Sequence, residues 1–322
     1  MQSLLFSYGE SKTKFDKEFW AIDPNSMKKC KFGNCNIAPN YLHKVKEEFP
    51  LKKDDFLLVA YPRSGSTLTR RLVDALLDKK FNGLSLDYQL KLEAKDLPSI
   101  PIEFEDPQNS VFSSGEAADS ASSKNLIQRK KCLKTHLPIW IAPENGIKTN
   151  KPKLILVTRN PRDCCVSHYN MNKNDVINSQ EMRDLSFDQY FELFLKDECI
   201  YGNWLDWHND WAEFLKNRSA YQKDEYLIIY YEDLLSDFEK TVVELGKFIG
   251  LLEEEVVDEM DCLKEMGNFK SMQEKYRPPN IKNFVRKGIV GDFENYFSEG
   301  QKKRMDEEFV EALDPLFSHR YQ

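Results

Sequence analysis

Four short segments of the chain carry residue types that could bind anions or move protons. The first reads Tyr-Pro-Arg-Ser-Gly-Ser-Thr at residues 61–67, after an apolar run and before a stretch with helical spacing. A loop between a strand and a helix directs backbone N–H groups, hydroxyls and the positive end of the helix toward one point, which suits a phosphate. The segment lacks the glycine and lysine spacing of the Walker motif, so an ordinary NTP-hydrolysing loop is disfavoured. On these residues alone, a simple capped turn is the alternative.

The second segment contains His136, two residues after Lys134 and shortly before a proline. This order is typical of a strand end that directs polar side chains into a cleft. A neutral histidine can remove a proton from a hydroxyl, and a nearby ammonium can stabilise a leaving oxyanion. His168 and His208 lie in aromatic-rich helical stretches and are predicted to be packing residues.

The third and fourth segments contain clustered cations. Arg159 ends an apolar run and Ser167 lies on the helix predicted to follow, so the two could clamp a second phosphate. An ion pair between Arg159 and Asp163 is the alternative that these residues leave open. The fourth segment, Arg-Lys-Gly-Ile-Val-Gly-Asp-Phe at residues 286–293, places two cations and two glycines in an otherwise acidic part of the chain. It is typical of a loop that closes over an anion.

Three strand–loop–helix units position these segments. Apolar β-type runs at residues 55–61, 153–158 and 226–231 each precede a polar loop and a stretch with helical spacing. Pro161 suits the first turn of the second helix, and residues 238–249 form an amphipathic pattern in the third unit. Strands that alternate with helices indicate an α/β fold, with a central parallel β-sheet flanked by helices and a P-loop-like anion loop.

The length of 322 residues and the absence of a convincing linker predict a single domain over residues 1–322. Residues 1–50 show no strong period and are expected to wrap the core. Residues 106–125 are rich in Ser, Ala, Asp and Asn and are predicted to be a mobile loop, either a lid or a tolerated surface insertion. Hydrophobic content of 41% excludes a disordered chain, and a net charge of −7 argues against nucleic-acid binding, which needs a broad basic face.

The sequence shows neither a signal peptide nor an apolar run approaching the roughly 20 residues that span a bilayer. We therefore expect a cytoplasmic protein with no membrane partner. The seven cysteines are widely scattered, which favours reduced thiols. Cys30 and Cys35 have no second pair at a zinc-like spacing, and no carboxylate cluster points to another ion, so no metal is predicted.

The order of these motifs resembles that of the cytosolic sulfotransferases and is similar to the invertebrate branch that includes the retinol dehydratase-like enzymes. The resemblance covers about residues 55–300, and it adds Tyr-Glu-Asp-Leu at residues 231–234 and Phe269 with Met272 to the four segments. It implies an enzyme that moves a sulfuryl group from 3′-phosphoadenosine 5′-phosphosulfate (PAPS) to the hydroxyl of a small apolar acceptor. Adenosine 3′,5′-bisphosphate is then the second product.

The resemblance also implies a role for each matching residue. His136 is the base that deprotonates the acceptor, Lys134 stands beside it, and Arg63 is a charge clamp at the leaving group. The residues implied to hold the donor form three sets: Arg63, Ser64, Gly65, Ser66 and Thr67 at the 5′-phosphosulfate, Arg159, Ser167, Arg286, Lys287 and Gly288 at the 3′-phosphate, and Leu68, Tyr231 and Phe269 around the adenine. Sulfuryl transfer is an in-line displacement through a loose anionic transition state, so positioning and fixed positive charge supply most of the catalysis.

Three features depart from the family pattern. Arg63 replaces the usual lysine and, because arginine does not release its proton, is expected to act through its charge alone. Leu68 replaces a tryptophan that stacks on the adenine. The family's dimer segment begins with lysine, has Thr-Val at its centre and ends with glutamate, whereas residues 294–303 begin with Glu294, lack Thr-Val and end with Lys303. We therefore expect a monomer, or a dimer through a different surface.

The sequence does not identify the acceptor, since acceptor pockets are apolar and built from variable loops. The candidate lining residues are Phe32, Tyr88, Tyr169, Phe104 and Phe112. Two alternatives remain: a retinol dehydratase-like enzyme, which sulfonates an alcohol and then eliminates sulfate, and a nucleotide-binding protein without catalysis. The intact pair of His136 and Lys134 argues against the second, and the missing N-terminal anchor disfavours a Golgi carbohydrate sulfotransferase.

Overall fold

A computed structural model describes residues 4–8, 19–32, 39–82, 132–174, 180–217, 221–275, 285–318 and 320–321. Its N-terminal part is a small antiparallel sheet of β1 (Leu5–Tyr8), β2 (Phe19–Ile22) and β3 (Lys29–Phe32), followed by helix α1 (Pro39–Glu48). The side chains of Ala21, Cys30 and Phe32 are buried in the main hydrophobic core. The region expected to wrap the core therefore contains a regular sheet that packs against it.

The central sheet has four parallel strands, β4 (Phe56–Ala60), β5 (Leu133–Thr135), β6 (Lys153–Thr158) and β7 (Tyr226–Tyr230), in the order β5-β4-β6-β7. Their register aligns Val59 with Thr135 on one side and with Leu156 on the other. This arrangement confirms the predicted α/β fold, and the three predicted strands lie where the apolar runs place them.

Thirteen further α-helices surround the two sheets within the described ranges. They are α2 (Ser66–Leu77), α3 (Glu144–Asn150), α4 (Pro161–Asn174), α5 (Gln180–Asp184), α6 (Phe187–Leu195), α7 (Trp204–Lys216), α8 (Tyr231–Ser236), α9 (Phe238–Ile249), α10 (Glu253–Val257), α11 (Met260–Gly267), α12 (Phe269–Lys275), α13 (Glu299–Met305) and α14 (Pro315–Ser318). None of the described helices is long and apolar enough to cross a bilayer.

The central sheet separates two hydrophobic clusters, because side chains along a strand alternate between its faces. Leu57, Val59, Leu154 and Leu156 belong to one cluster, which also takes up the aromatic side chains of α6 and α7. Their neighbours Phe56, Leu58, Ala60, Ile155 and Val157 belong to the other, with α2, α9 and α11. Both faces of the sheet are thus covered by helices, which explains why its strands are continuous apolar runs rather than alternating ones.

Local sequence signals set the ends of the helices nearest the predicted site. Gly65 precedes α2 with φ 96°, a left-handed conformation that glycine adopts at little cost. Pro161 is the first residue of α4, as predicted, because its fixed φ and missing N–H fit the first turn. Gly250, with φ 101°, ends α9.

Candidate functional site

The carboxyl ends of the four parallel strands bring the predicted site residues to one edge of the sheet. β4 leads into the anion loop (residues 61–67), β5 ends one residue before His136, β6 ends one residue before Arg159, and β7 ends one residue before Tyr231. In open α/β sheets ligands bind at this edge. Three of the four segments that the sequence singles out, together with Tyr231, are therefore placed by one sheet.

The anion loop is held in a tight, strained path. Arg63 has φ 72° and Gly65 has φ 96°, so two residues of the loop are in the left-handed region. A side chain at Gly65 would meet the Tyr231 ring, since a Cβ placed there lies 2.4 Å from Tyr231 Cδ2. Beneath the loop, Cys164 Sγ donates to the Pro62 carbonyl at 3.2 Å, and the Ser64 side chain is fully buried.

The Arg63 guanidinium points toward the residues predicted to hold the 3′-phosphate. Its Nε donates to Ser167 Oγ at 3.1 Å. Burial and the neighbouring charge of Arg159 lower the pKa of Arg63 to about 10. The group therefore remains protonated near pH 7 and contributes a fixed positive charge.

Arg159 connects the anion loop to residues 286–293, which we call the late loop. Its Nη1 donates to the Arg63 carbonyl at 3.3 Å and its Nη2 to the Ile289 carbonyl at 3.2 Å, while Cζ lies 4.4 Å from the centre of the Tyr231 ring. Its nearest contact with Asp163 is 4.0 Å, at the outer limit of an ion pair. Arg159 Nε is buried and has no hydrogen-bond partner among the described residues. A buried guanidinium N–H without an acceptor suits an anionic ligand.

Two aspartates that the sequence analysis does not name as site residues hold the late loop in place through hydrogen bonds and ion pairs. Asp163, 1% exposed, accepts hydrogen bonds from the backbone N–H groups of Gly291 at 2.7 Å and Phe293 at 3.1 Å. Asp292 pairs with both Arg286 and Lys287. Although burial acts to raise the pKa of Asp292, hydrogen bonds from Lys287 and Arg286 bring it below its ordinary value. The available signal is Asp163 itself, an acid in the first turn of α4, which the sequence presents only as an alternative ion-pair partner of Arg159.

The predicted adenine-flanking residues lie against the glycines of the two loops. A Cβ added at Gly288 would lie 2.3 Å from Phe269 Cδ2, as one at Gly65 would meet Tyr231. Leu68 is 6% exposed and packs in the same hydrophobic cluster as Tyr231. The rings therefore lie beside the anion-binding backbone.

His136 is fixed at the start of the anion loop by its backbone and its ring. Its Nδ1 lies 2.7 Å from the Ala60 carbonyl, and its own carbonyl accepts a hydrogen bond from Trp207 Nε1 at 2.9 Å. Because a carbonyl oxygen can only accept, Nδ1 carries the proton and Nε2 carries the lone pair. Burial, and then the charge of Lys134, lower the pKa of His136 to about 3. The imidazole is therefore neutral at pH 7.

Lys134 lies on β5, two residues before His136, and is 4% exposed. Its positive charge is, after burial, the second cause of the lowered pKa of His136. The other two described histidines near the core are packing residues, as predicted. His168 Nδ1 lies 2.9 Å from the Tyr190 hydroxyl and His208 Nε2 lies 3.0 Å from Thr158 Oγ1, and both rings are fully buried.

An aromatic residue that the sequence did not single out, Tyr201, contacts His136. The two ring centres are 5.5 Å apart in an edge-on arrangement, and Tyr201 also meets Phe32 edge-on at 5.6 Å. Phe32 is therefore one ring away from His136. The residues next to Tyr201 in the sequence gave no chemical signal. Tyr201 reaches the site through the loop between α6 and α7.

Of the four remaining candidates for the acceptor pocket, the structure describes Tyr169. Tyr169 belongs to a different aromatic group, with ring centres 5.4 Å from Phe187 and 5.5 Å from Tyr190. Tyr88, Phe104 and Phe112, like the whole predicted mobile loop at 106–125, fall outside the described residues. Acceptor lining by these four residues stays a prediction.

The residues present fit a nucleotide that carries two separate anionic groups. The anion loop and helix α2 offer backbone N–H groups at one point. The late loop carries two further cations, Arg286 and Lys287, and its Ile289 carbonyl accepts a hydrogen bond from a third, Arg159. Within the described ranges no group of three His, Cys, Asp or Glu side chains could hold a metal ion, and none of the described cysteines forms a disulfide.

Comparison with known proteins gives consistent matches over most of the chain. A family model described as "Sulfotransferase domain" matches residues 53–317. Sulfotransferase 1C2 of Rattus norvegicus is 31% identical over 277 residues, 83% of this chain and 86% of that protein. The 3-beta-hydroxysteroid sulfotransferase of Cavia porcellus is 26% identical over 294 residues, 88% of this chain and 92% of that protein.

Solved structures share the fold. Mouse sulfotransferase SULT7A1 complexed with PAP (adenosine 3′,5′-bisphosphate) superposes with a TM-score of 0.65 at 23% identity, covering 90% of this chain and 95% of that one. Retinol dehydratase in complex with androsterone and the inactive cofactor PAP superposes with a TM-score of 0.66 at 20% identity, covering 98% of each chain.

Proposed function

The chain belongs to the sulfotransferase domain family, whose PAPS-dependent enzymes act on small hydroxylated acceptors, and we propose that His136 is its catalytic base. The observation that carries this proposal is the hydrogen bond from His136 Nδ1 to the Ala60 carbonyl, 2.7 Å long, at the strand end that opens the anion loop. It leaves the basic Nε2 on the side of the ring opposite the backbone. A base fixed at this edge of the sheet is close to any group bound by the loop.

We propose PAPS as the donor, held at both of its anionic ends. The anion loop, from Arg63 to Thr67, would take the 5′-phosphosulfate through its N–H groups and hydroxyls. Arg159, Ser167, Arg286, Lys287 and Gly288 would take the 3′-phosphate, and the unpartnered Nε of Arg159 supports this role. Leu68, Tyr231 and Phe269 would enclose the adenine, since the two rings already lie against Gly65 and Gly288.

The donor supplies a sulfuryl group whose bond to the 5′-phosphate breaks as its sulfur bonds to the acceptor oxygen. His136 Nε2 accepts the hydroxyl proton in the same step. Its low pKa in the free protein keeps it neutral, and a bound anion beside it raises the pKa, because negative charge favours the imidazolium. Arg63 and Lys134 supply fixed positive charge to the separating oxygens, and Arg63 keeps its own proton.

The decisive experiment measures transfer from radiolabelled PAPS to a phenol, a 3-hydroxysteroid and retinol, with products identified by mass spectrometry. A sulfonated product supports the proposal, a dehydrated product indicates the retinol dehydratase-like alternative, and donor binding without turnover indicates a non-catalytic binding protein. The panel follows from the steroid and retinol named for the relatives.

Replacing His136 with alanine tests the base itself. We expect His136→Ala to lower the transfer rate by about 10²–10⁴-fold, the usual effect of removing a general base. Calorimetry should find adenosine 3′,5′-bisphosphate affinity changed by only a few fold. His43→Ala, on the partly exposed side of α1, is the matched control and should leave both quantities unchanged. Near-native turnover in His136→Ala would show that another group removes the proton.

A further inference from the structure

The loop of residues 196–203, between α6 and α7, carries the tyrosine that contacts His136. Three of its residues are left-handed: Asp197 with φ 63°, Tyr201 with φ 70° and Gly202 with φ 83°. The Tyr201 N–H donates to the Lys31 carbonyl at 2.9 Å, which ties the loop to β3. A loop with this much backbone strain keeps one shape only if its surroundings determine it.

Asp197 lies at the centre of that shape. Its carboxylate accepts a hydrogen bond from the backbone N–H of Asn203, at the start of α7. Its Oδ1 is buried without a hydrogen-bond partner among the described residues, and a Cβ placed at Gly202 would lie 3.1 Å from it. The carboxylate therefore packs against the residue next to Tyr201, with one oxygen unsatisfied.

We propose that Asp197 is a positioning residue for the acceptor side of the site, and that its proton holds the 196–203 loop closed with Tyr201 against His136. The catalytic meaning of this proposal rests on the proposed role of His136, whereas the experiment that tests the loop does not depend on that role. When Asp197 is neutral, its buried oxygen carries no charge and the closed loop is stable. When Asp197 ionises, a partly buried carboxylate with an unsatisfied oxygen favours the open loop.

The charges around Asp197 support this reading. Burial, and then the negative charge of Asp206 on α7, raise its pKa to about 7; Glu198 of the same loop also raises it, and Lys29 on β3 and the Asn203 N–H oppose the rise. The carboxyl has a pKa of about 7 in the closed loop and 3.8 when it is exposed in the open loop. Its proton therefore stabilises the closed loop at low pH, and this stabilisation is lost as the pH rises from 3.8 toward 7.

These values set the size of the effect. Between pH 6 and pH 8 the neutral fraction falls about a hundredfold for an exposed carboxyl and about tenfold for one with a pKa of about 7. Opening of the loop should therefore become about tenfold more favourable over this range. His136, with a pKa of about 3, stays neutral throughout and does not contribute.

Hydrogen–deuterium exchange of residues 195–203, corrected for intrinsic exchange rates, measures the opening directly at pH 6 and pH 8. We expect the native protein to lose about tenfold in protection and Asp197→Asn to lose none, because asparagine tolerates a positive φ and carries no charge. Asp206→Asn, which changes an exposed side chain, should reduce the loss. An equal loss of protection in native protein and Asp197→Asn overturns the proposal. If Asp197→Asn does not fold, ¹³C NMR titration of the native carboxyl decides, and a pKa below 5 overturns it.

A pair of substitutions tests the positioning role in turnover. Valine strains a backbone with φ 63° whereas glycine does not, so Asp197→Val should raise the acceptor KM and Asp197→Gly should restore it, with the donor KM unchanged in both. Equal acceptor KM values in the two variants would show that the conformation of this loop, and hence the position of Tyr201, does not affect acceptor binding. If the native protein transfers no sulfuryl group at all, the proposed function fails while the exchange experiment still judges Asp197.

Discussion

Replacing Asp163 with asparagine should weaken recognition of the 3′-phosphate without touching a ligand. Asp163 accepts two backbone hydrogen bonds from the late loop, at 2.7 and 3.1 Å, and is 1% exposed. Asparagine is almost the same size but has only one acceptor oxygen. Its amide NH₂ group would face one of the two N–H donors, so one hydrogen bond is lost and the other is left with a neutral acceptor.

The magnitude follows from those two bonds. A hydrogen bond to a charged group contributes about 1.5–3 kcal/mol, and a neutral one about 0.5–1.5 kcal/mol. The free energy that favours the closed late loop over an open one should thus fall by at least about 1.5–3 kcal/mol. Since 1.4 kcal/mol is about tenfold in an equilibrium constant, we expect the Kd for adenosine 3′,5′-bisphosphate to rise by about tenfold or more. The Kd for adenosine 5′-phosphate should change by no more than about twofold, since it lacks the group that Arg286 and Lys287 would hold.

Isothermal titration calorimetry of both nucleotides measures the difference. Asp261→Asn is the matched control: it removes the same charge from the first turn of another helix, α11, at an exposed position. Urea unfolding of each variant shows that binding is compared between folded proteins. A similar loss for both nucleotides, or none for either, would refute the reasoning that Asp163 acts through the late loop.

The other predictions use the same assays. Arg286→Ala should cost roughly 1.5–3 kcal/mol of bisphosphate affinity and much less of 5′-phosphate affinity, and equal calorimetric losses would exclude a 3′-phosphate role. Leu68→Trp should tighten bisphosphate binding by up to roughly tenfold, because the indole would stack on the adenine. It should also lower the free energy of unfolding by about 1–3 kcal/mol, because Leu68 is only 6% exposed and the larger ring overpacks the site. Unchanged affinity in a folded variant would show that this position does not face the adenine. Light scattering should find a monomer at micromolar concentration, or a dimer that survives Glu294→Lys even though Glu294 pairs with Lys302; a dimer that this substitution disrupts would contradict the expectation.

Sequence patterns were sufficient for the elements that hold the site, because those patterns are local. The apolar run at residues 153–158 and Pro161 define β6 and the start of α4 to the residue. Buried parallel strands and proline at a first helical turn both leave their signature within a few positions. The same is true of the anion loop, whose glycine precedes α2.

Contacts between distant segments could not be predicted in this way. The bond from Gly291 to Asp163 joins residues 128 positions apart, and nothing near Asp163 distinguishes it from a partner of Arg159. Tyr201 meets His136 because a strained loop between two helices delivers it there. Such pairs depend on how the helices pack on the sheet, which a single sequence does not specify.

The bonds between Asp163 and the late loop also bear on the order in which the protein can be made. A ribosome adds roughly 5–20 residues per second, so on the order of ten seconds separates the emergence of Asp163 from that of Gly291 and Phe293. During that interval β4, β6 and α4 can fold, yet the Asp163 carboxylate has neither of its backbone donors and Arg159 lacks the Ile289 carbonyl. The nascent chain thus exposes an incomplete anion site until Gly291 and Phe293 have emerged from the ribosome and can bind Asp163.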